Sequence, residues 1–93
     1  MAISVIVPNA LTPYTRGVGT LVLDQRCATV ADALAAVATT LPALTDRVLT
    51  EQGEVRRHVN IFVGDESIKF LDGLETALHE NATITIVPAV SGG

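Results

Sequence analysis

One segment of the sequence carries apolar residues at helical spacing over several turns: Val30, Leu34, Val37 and Leu41. Those spacings put the four side chains on one stripe, the alanines around them favour helix, and Pro42 stops it. Thr29 and Asp32 supply a hydroxyl and a carboxylate where the free N–H groups of a starting helix need acceptors. A single long helix with one apolar stripe must bury it against something else, and the rest of the chain reads mainly as strands.

Ile3-Ser4-Val5-Ile6-Val7 is β-branched at four of five positions and ends at the turn signal Pro8-Asn9, so a first strand is expected there. Thr12, Pro13, Arg16, Gly17 and Gly19 make a turn-rich connection, and Thr20 to Asp24 alternates as a second strand, hairpinned to the first. After the helix, residues 43–57 read as irregular, with Leu44, Val48 and Leu49 anchoring one short helical turn. Val59, Ile61 and Val63 then alternate with His58, Asn60 and Phe62, Gly64-Asp65 offers a turn, and Ser67 to Phe70 returns as a short strand. Asp72-Gly73 turns the chain, Leu74 to Leu78 allows a helical turn, and Ala82 to Val87 alternates as the last strand. The order predicts an α+β domain over residues 1–88, with a short flexible tail over 89–93.

At 93 residues, 48% hydrophobic and 17% charged, the chain is one domain with enough core to fold without metal or disulfides, and the lone Cys27 cannot form an internal bridge. A net charge of -4 and three aromatics, Tyr14, Phe62 and Phe70, argue against nucleic acid as a partner. No stretch approaches the ~20 apolar residues that cross a bilayer, and Met1 to Asn9 lacks the basic start and cleavage site of a signal peptide. A cytoplasmic location with a reduced thiol is the expectation. His58 and His79 stand 21 residues apart with no cysteine at ligand spacing, so no metal is expected. Ser4, Ser67 and Ser91 lack a recognisable nucleophile context, which argues against an enzyme. Cys27, among small residues before the helix, is expected to pack as a small hydrophobe rather than act in sulfur relay, and Arg56-Arg57 to form a solvated face rather than hold an acidic partner.

After Pro88 the sequence reads Ala89-Val90-Ser91-Gly92-Gly93. With no charged or bulky residue, such a segment can enter a narrow slot, and glycine leaves the Gly93 carboxylate without steric guard. A carboxylate is a poor electrophile, because its leaving group would be oxide. Coupling to AMP makes an acyl-adenylate that sulfur or an amine can displace. The chain has no glycine-rich phosphate loop for ATP, so a partner would have to activate it. By itself the glycine pair fits a frayed, inert terminus better.

A strand-strand-helix-strand-strand chain ending in Gly-Gly resembles the MoaD and ThiS family of ubiquitin-like, β-grasp sulfur carriers. Three segments resemble its CysO-like branch, which serves cysteine synthesis: Val7 to Pro13, Val59 to Glu66, and Ile84 to Gly93. Phe70 to Thr76 fits between them. The resemblance implies a mixed sheet of four to five strands packed on one main helix, and a carrier that binds no cofactor and performs no catalysis. It implies that an ATP-dependent enzyme adenylates Gly93, that a sulfurtransferase or sulfide makes a thiocarboxylate, and that a biosynthetic enzyme consumes the sulfur. In the CysO-like branch the acceptor sits on a pyridoxal-phosphate (PLP) cysteine synthase, and a zinc metallopeptidase releases cysteine. In the MoaD-like branch the carrier is the small subunit of molybdopterin synthase. A ubiquitin-like modifier, joined through Gly93 to target lysines, is a further alternative.

The strand parity gives a second expectation. If Val59, Ile61 and Val63 face the helix, Asn60 and Phe62 face outward, and so do Ile6 and Val87. In a β-grasp the first and last strands run parallel and adjacent, which would bring Ile6 and Val87 together near the departing tail. An apolar patch of Ile6, Phe62 and Val87 is expected either to dock the activating enzyme or to be scattered surface hydrophobes.

Overall fold

In the computed structural model, which describes residues 2–88, the N-terminal apolar run forms β1 (Ile3–Ile6), with Ile3 and Val5 buried and Ser4 and Ile6 half-buried. β2 (Thr20–Leu23) lies antiparallel to it, Val5 opposite Leu21 and Ile6 opposite Thr20. Helix α1 (Val30–Thr40) follows, burying Val30, Ala33, Leu34, Ala36 and Val37. Its cap is the predicted pair: the Thr29 hydroxyl accepts from the Asp32 N–H at 3.2 Å, and the Asp32 carboxylate accepts from the Ala28 N–H at 3.1 Å.

Pro42 does end α1, and the one short helical turn expected around Leu44 and Val48 is longer than that, while residues 49–57 are irregular as expected. A second helix, α2 (Pro42–Val48), starts on that proline and buries Leu44 and Val48. The correction has a simple cause: a proline that breaks one helix is well placed in the first turn of the next, where its missing N–H costs nothing. The turn-rich connection after β1 likewise contains a 3-10 helix, Asn9–Thr15, with Pro13 inside it. The Arg47 guanidinium of α2 lies 4.8 Å from the centre of the Tyr14 ring, which ties the two segments together.

β3 (Val59–Val63) and β4 (Glu66–Ser67) form a hairpin through Gly64-Asp65, where Gly64 has φ +60, a conformation that suits glycine. The expected return strand over Ser67 to Phe70 is cut short, because Ile68–Phe70 curls into a 3-10 turn that buries Ile68. The helical turn expected over Leu74 to Leu78 is a shorter 3-10 turn, Gly73–Glu75. β5 (Thr83–Pro88) completes a five-stranded sheet of order β2-β1-β5-β3-β4, parallel to β1 and antiparallel to β3. The last strand in sequence is thus the middle strand in space. The core lies between one sheet face and the helices, built around Val5, Val30, Leu34, Leu44, Val48, Ile61, Ile84 and Ile86, all at most 2% exposed.

Candidate functional site at the exit of the central strand

β5 is hydrogen-bonded on both sides, and its last residue, Pro88, stands opposite Val59, the first residue of β3. Residues 89–93 are therefore attached at the end of the most supported strand of the sheet, beside the start of β3. The predicted site residues Ala89, Val90, Ser91, Gly92 and Gly93 themselves lie outside the described residues.

The outer face of the sheet next to that exit is built by parity. Ile84 and Ile86 of β5 point into the core, so Thr83, Thr85 and Val87 point out. Thr85 stands opposite Ile6 on one side and Phe62 on the other, and Val87 stands opposite Asn60. Ile6, Phe62 and Val87 do share one face, each half-buried. Ile6 aligns with Thr85 rather than Val87, so the apolar pair Ile6 and Phe62 is divided by a threonine, with Val87 one step nearer the exit.

Phe70 is the surface residue the sequence did not give away. A strand over Ser67 to Phe70 would have placed it on the same side as Ile68. The 3-10 turn rotates successive side chains by about a third of a circle, so Ile68 goes in and Phe70 is left 85% exposed. Phe70 joins Phe62, Asn60, Ser67 and Lys69 around an open groove of about 480 Å³. Val22, 59% exposed, lies at the other side of the same face, opposite Ser4.

Cys27 is buried, its Sγ 3.7 Å from the Gln25 carbonyl, as expected of a small packed hydrophobe. Burial, and after it the nearby Asp32 carboxylate, push the thiol above its ordinary range and so suppress the nucleophilic thiolate. Ser67 accepts the Lys69 N–H and so caps the 3-10 turn, while Ser4 lies within β1. The His79 ring pairs through Nδ1 with the Glu80 carbonyl at 2.8 Å. Among the described residues no cluster of three His, Cys, Asp or Glu side chains is arranged to hold a metal ion. No helix among them is long and apolar enough to cross a membrane. Arg56 is held by its Nε–H, which donates to the Asp46 carbonyl at 2.9 Å, whereas Arg57 and His58 are exposed just ahead of Val59.

Comparison with known proteins places this arrangement. The family model described as the ThiS family matches residues 5–93. The chain belongs to the ThiS family. It is 34% identical over 99 residues to the sulfur carrier protein CysO of Mycobacterium tuberculosis, covering 100% of both chains. It is also 36% identical over 66 residues to small archaeal modifier protein 3 of Haloferax volcanii, covering 71% of each. Among solved structures, the BexX/CysO complex of Amycolatopsis orientalis contains a chain that superposes with a TM-score of 0.86 at 31% identity, covering 98% of this chain and 99% of that one. The fold is therefore the ubiquitin-like β-grasp of the ThiS family, with a mixed five-stranded sheet and α1 as its main helix.

Proposed function

We propose that this ThiS-family chain is a sulfur carrier whose working group is the Gly93 carboxylate, presented by Ala89, Val90, Ser91 and Gly92. The observation that carries the reading is the family match running through to Gly93 on a fold that hands residues 89–93 off from its central strand. A partner enzyme spends ATP to adenylate Gly93, and sulfide then displaces AMP to leave a thiocarboxylate; where a sulfurtransferase persulfide is the donor, the acyl disulfide first formed is cleaved by a second thiol, which leaves joined to the sulfurtransferase sulfur as a disulfide. Placing the leaving point on β5 supports this division of labour: a strand held on both edges fixes where the tail starts, while the partner supplies the nucleotide site. Ile6, Phe62 and Val87, beside that starting point, form the surface on which the activating enzyme docks.

The sulfur acceptor we propose is the CysO-like one, an aminoacrylate held on a PLP-dependent cysteine synthase, with a zinc metallopeptidase releasing cysteine. The full-length similarity to CysO favours it over the MoaD-like role in molybdopterin synthase. The similarity to an archaeal modifier protein favours a second reading, conjugation of Gly93 to lysines of other proteins. Intact-mass analysis of the protein from its native cells, with fragmentation of the C-terminal peptide, separates these. Sulfur in place of one oxygen at Gly93 is the expected result. Gly93 found in isopeptide linkage to other proteins, with no sulfur, would move the chain to the modifier reading, and an unmodified Gly93 after incubation with ATP, sulfide and candidate activating enzymes would overturn both.

A further inference from the structure

The two edges of the sheet are made differently. At one edge β4 holds only Glu66–Ser67, flanked by Asp65 and closed off by the 3-10 turn that begins at Ile68. Charge and brevity of that kind keep an edge from pairing with another chain. At the other edge β2 offers Thr20, Leu21, Val22 and Leu23, without charge, proline or bulge. Val22 within it is 59% exposed, and Val18 just ahead of it is 45% exposed.

The backbone of β2 is half used. The Val7 N–H donates to the Gly19 carbonyl at 2.8 Å, and the register runs on through Val5 opposite Leu21 and Ile3 opposite Leu23. Hydrogen-bonded pairs alternate along an antiparallel ladder, so Leu21 and Leu23 turn their N–H and C=O groups to β1, while Thr20 and Val22 turn theirs away. The Ser4 N–H has the matching phase: it donates to the Ala82 carbonyl just ahead of β5, not to Val22, which stands opposite it on β2. Among the described residues no strand lies beyond β2 to take up the outward groups.

We propose that this edge pairs with β2 of a second copy of this chain, antiparallel about Val22, to give one continuous sheet of ten strands. Self-complementarity selects that occupant. About a two-fold axis through Val22, the two Val22 backbones exchange hydrogen bonds and their side chains meet on the outer face. Leu21 of each copy stands opposite Leu23 of the other on the helix side, where both are half-buried and have area left to cover. Thr20 of each copy faces Asp24 of the other, a hydroxyl to a carboxylate. About six backbone hydrogen bonds result. Sliding the strands by two residues would set Leu23 against Gly19 and trade two leucine pairs for one. The two Asp24 residues lie about 14 Å apart along the strands, beyond strong repulsion at physiological salt. Because β1 separates the seam from β5, Pro88 of each copy is left open, at opposite ends of the joint sheet. The inference is independent of the reading of Gly93. A seam of four residues is small, which sets a weak dimer with a Kd of about 0.1 mM.

The test is sedimentation of the full chain from about 10 μM to about 1 mM, with amide hydrogen exchange followed by NMR at both ends of that range. Dimer is expected at the high end, with exchange at Thr20 and Val22 slowed about fivefold, while Leu21 and Leu23, already bonded to β1, are equally protected at both concentrations. Val22→Lys and Val22→Glu, at a position already exposed, should each stay folded by circular dichroism and sediment as monomers, because each puts like charges on the axis; mixed in equal amounts they should pair again. A wild-type chain that stays monomeric at the high end would leave the edge to another protein or to solvent and overturn the proposal. Association that either variant leaves intact, or protection gained elsewhere than at Thr20 and Val22, would overturn it by placing the contact on another surface. Variants that remain monomeric when mixed would overturn the pairing about Val22.

Discussion

The two faces of the sheet are made from the same strands and differ almost completely. On the helix side Val5, Val59, Ile61, Ile84 and Ile86 are at most 2% exposed. On the other side Ser4, Ile6, Asn60, Phe62, Thr83, Thr85 and Val87 are all half-buried, a mixture of hydroxyls, an amide and apolar groups. The first face holds the domain together, since each buried aliphatic contributes a few kcal/mol. No helix among the described residues covers the second, so its residues are free to answer to a partner instead of to packing. Stability and recognition are thereby carried by alternate residues of one strand, and a substitution one position along β5 should move from one property to the other.

The largest effect is expected at Ile84, fully buried in the central strand. Ile84→Ala should cost about 2–5 kcal/mol, read as a lowered urea midpoint, whereas Thr85→Ala next to it should stay within about 1 kcal/mol. Equal losses at the two positions would break the contrast between the faces. Next is Phe62→Ser, expected to weaken binding to the activating enzyme about tenfold or more while the domain stays folded, measured by calorimetry alongside circular dichroism. Unchanged affinity would remove the outer face from the docking surface.

The smallest effect is a pH dependence from the buried side. Burial raises the Cys27 thiol, so the folded state keeps its proton at a pH where the unfolded chain releases it. The sign follows: this contribution to stability is intact below the ordinary thiol range and is lost as pH rises through it towards the folded value. Cys27→Ala should flatten the alkaline fall of the urea midpoint, and iodoacetamide should label Cys27 slowly in native protein and faster in urea. Rapid native labelling would mean the thiol is not sealed as the fold places it.

Much of this arrangement was legible residue by residue. Alternation at Val59, Ile61 and Val63 predicted which side chains of β3 turn inward, with Val63 only half-buried because it stands at the hairpin end. Thr29, Val30, Leu34 and Val37 located α1 and its buried stripe. The misreadings cluster where local signals are two-sided. Pro42 reads as a stop and is also a start, which hid the length of α2 but not the helical turn around Leu44 and Val48. Ile68 and Phe70 fit a strand by spacing, yet a 3-10 turn separates them, which hid the exposed aromatic ring beside the groove. The tail's chemistry was legible only through its resemblance to a family, since a Gly-Gly pair alone better describes an inert end.

By itself the sequence determined the periodicities: where a helix runs, where strands alternate, and which residue of each pair is apolar, because these depend on neighbours within a few positions. Only the tertiary structure decided that β5 also pairs with β3 and so lies mid-sheet, that Thr85 separates Ile6 from Phe62, and that Phe70 stands exposed beside Phe62. Those facts depend on hydrogen bonds between segments that are as far apart in sequence as Ser4 and Thr83. Pairing at that distance is chosen by how the whole core closes over α1, and no local pattern encodes it.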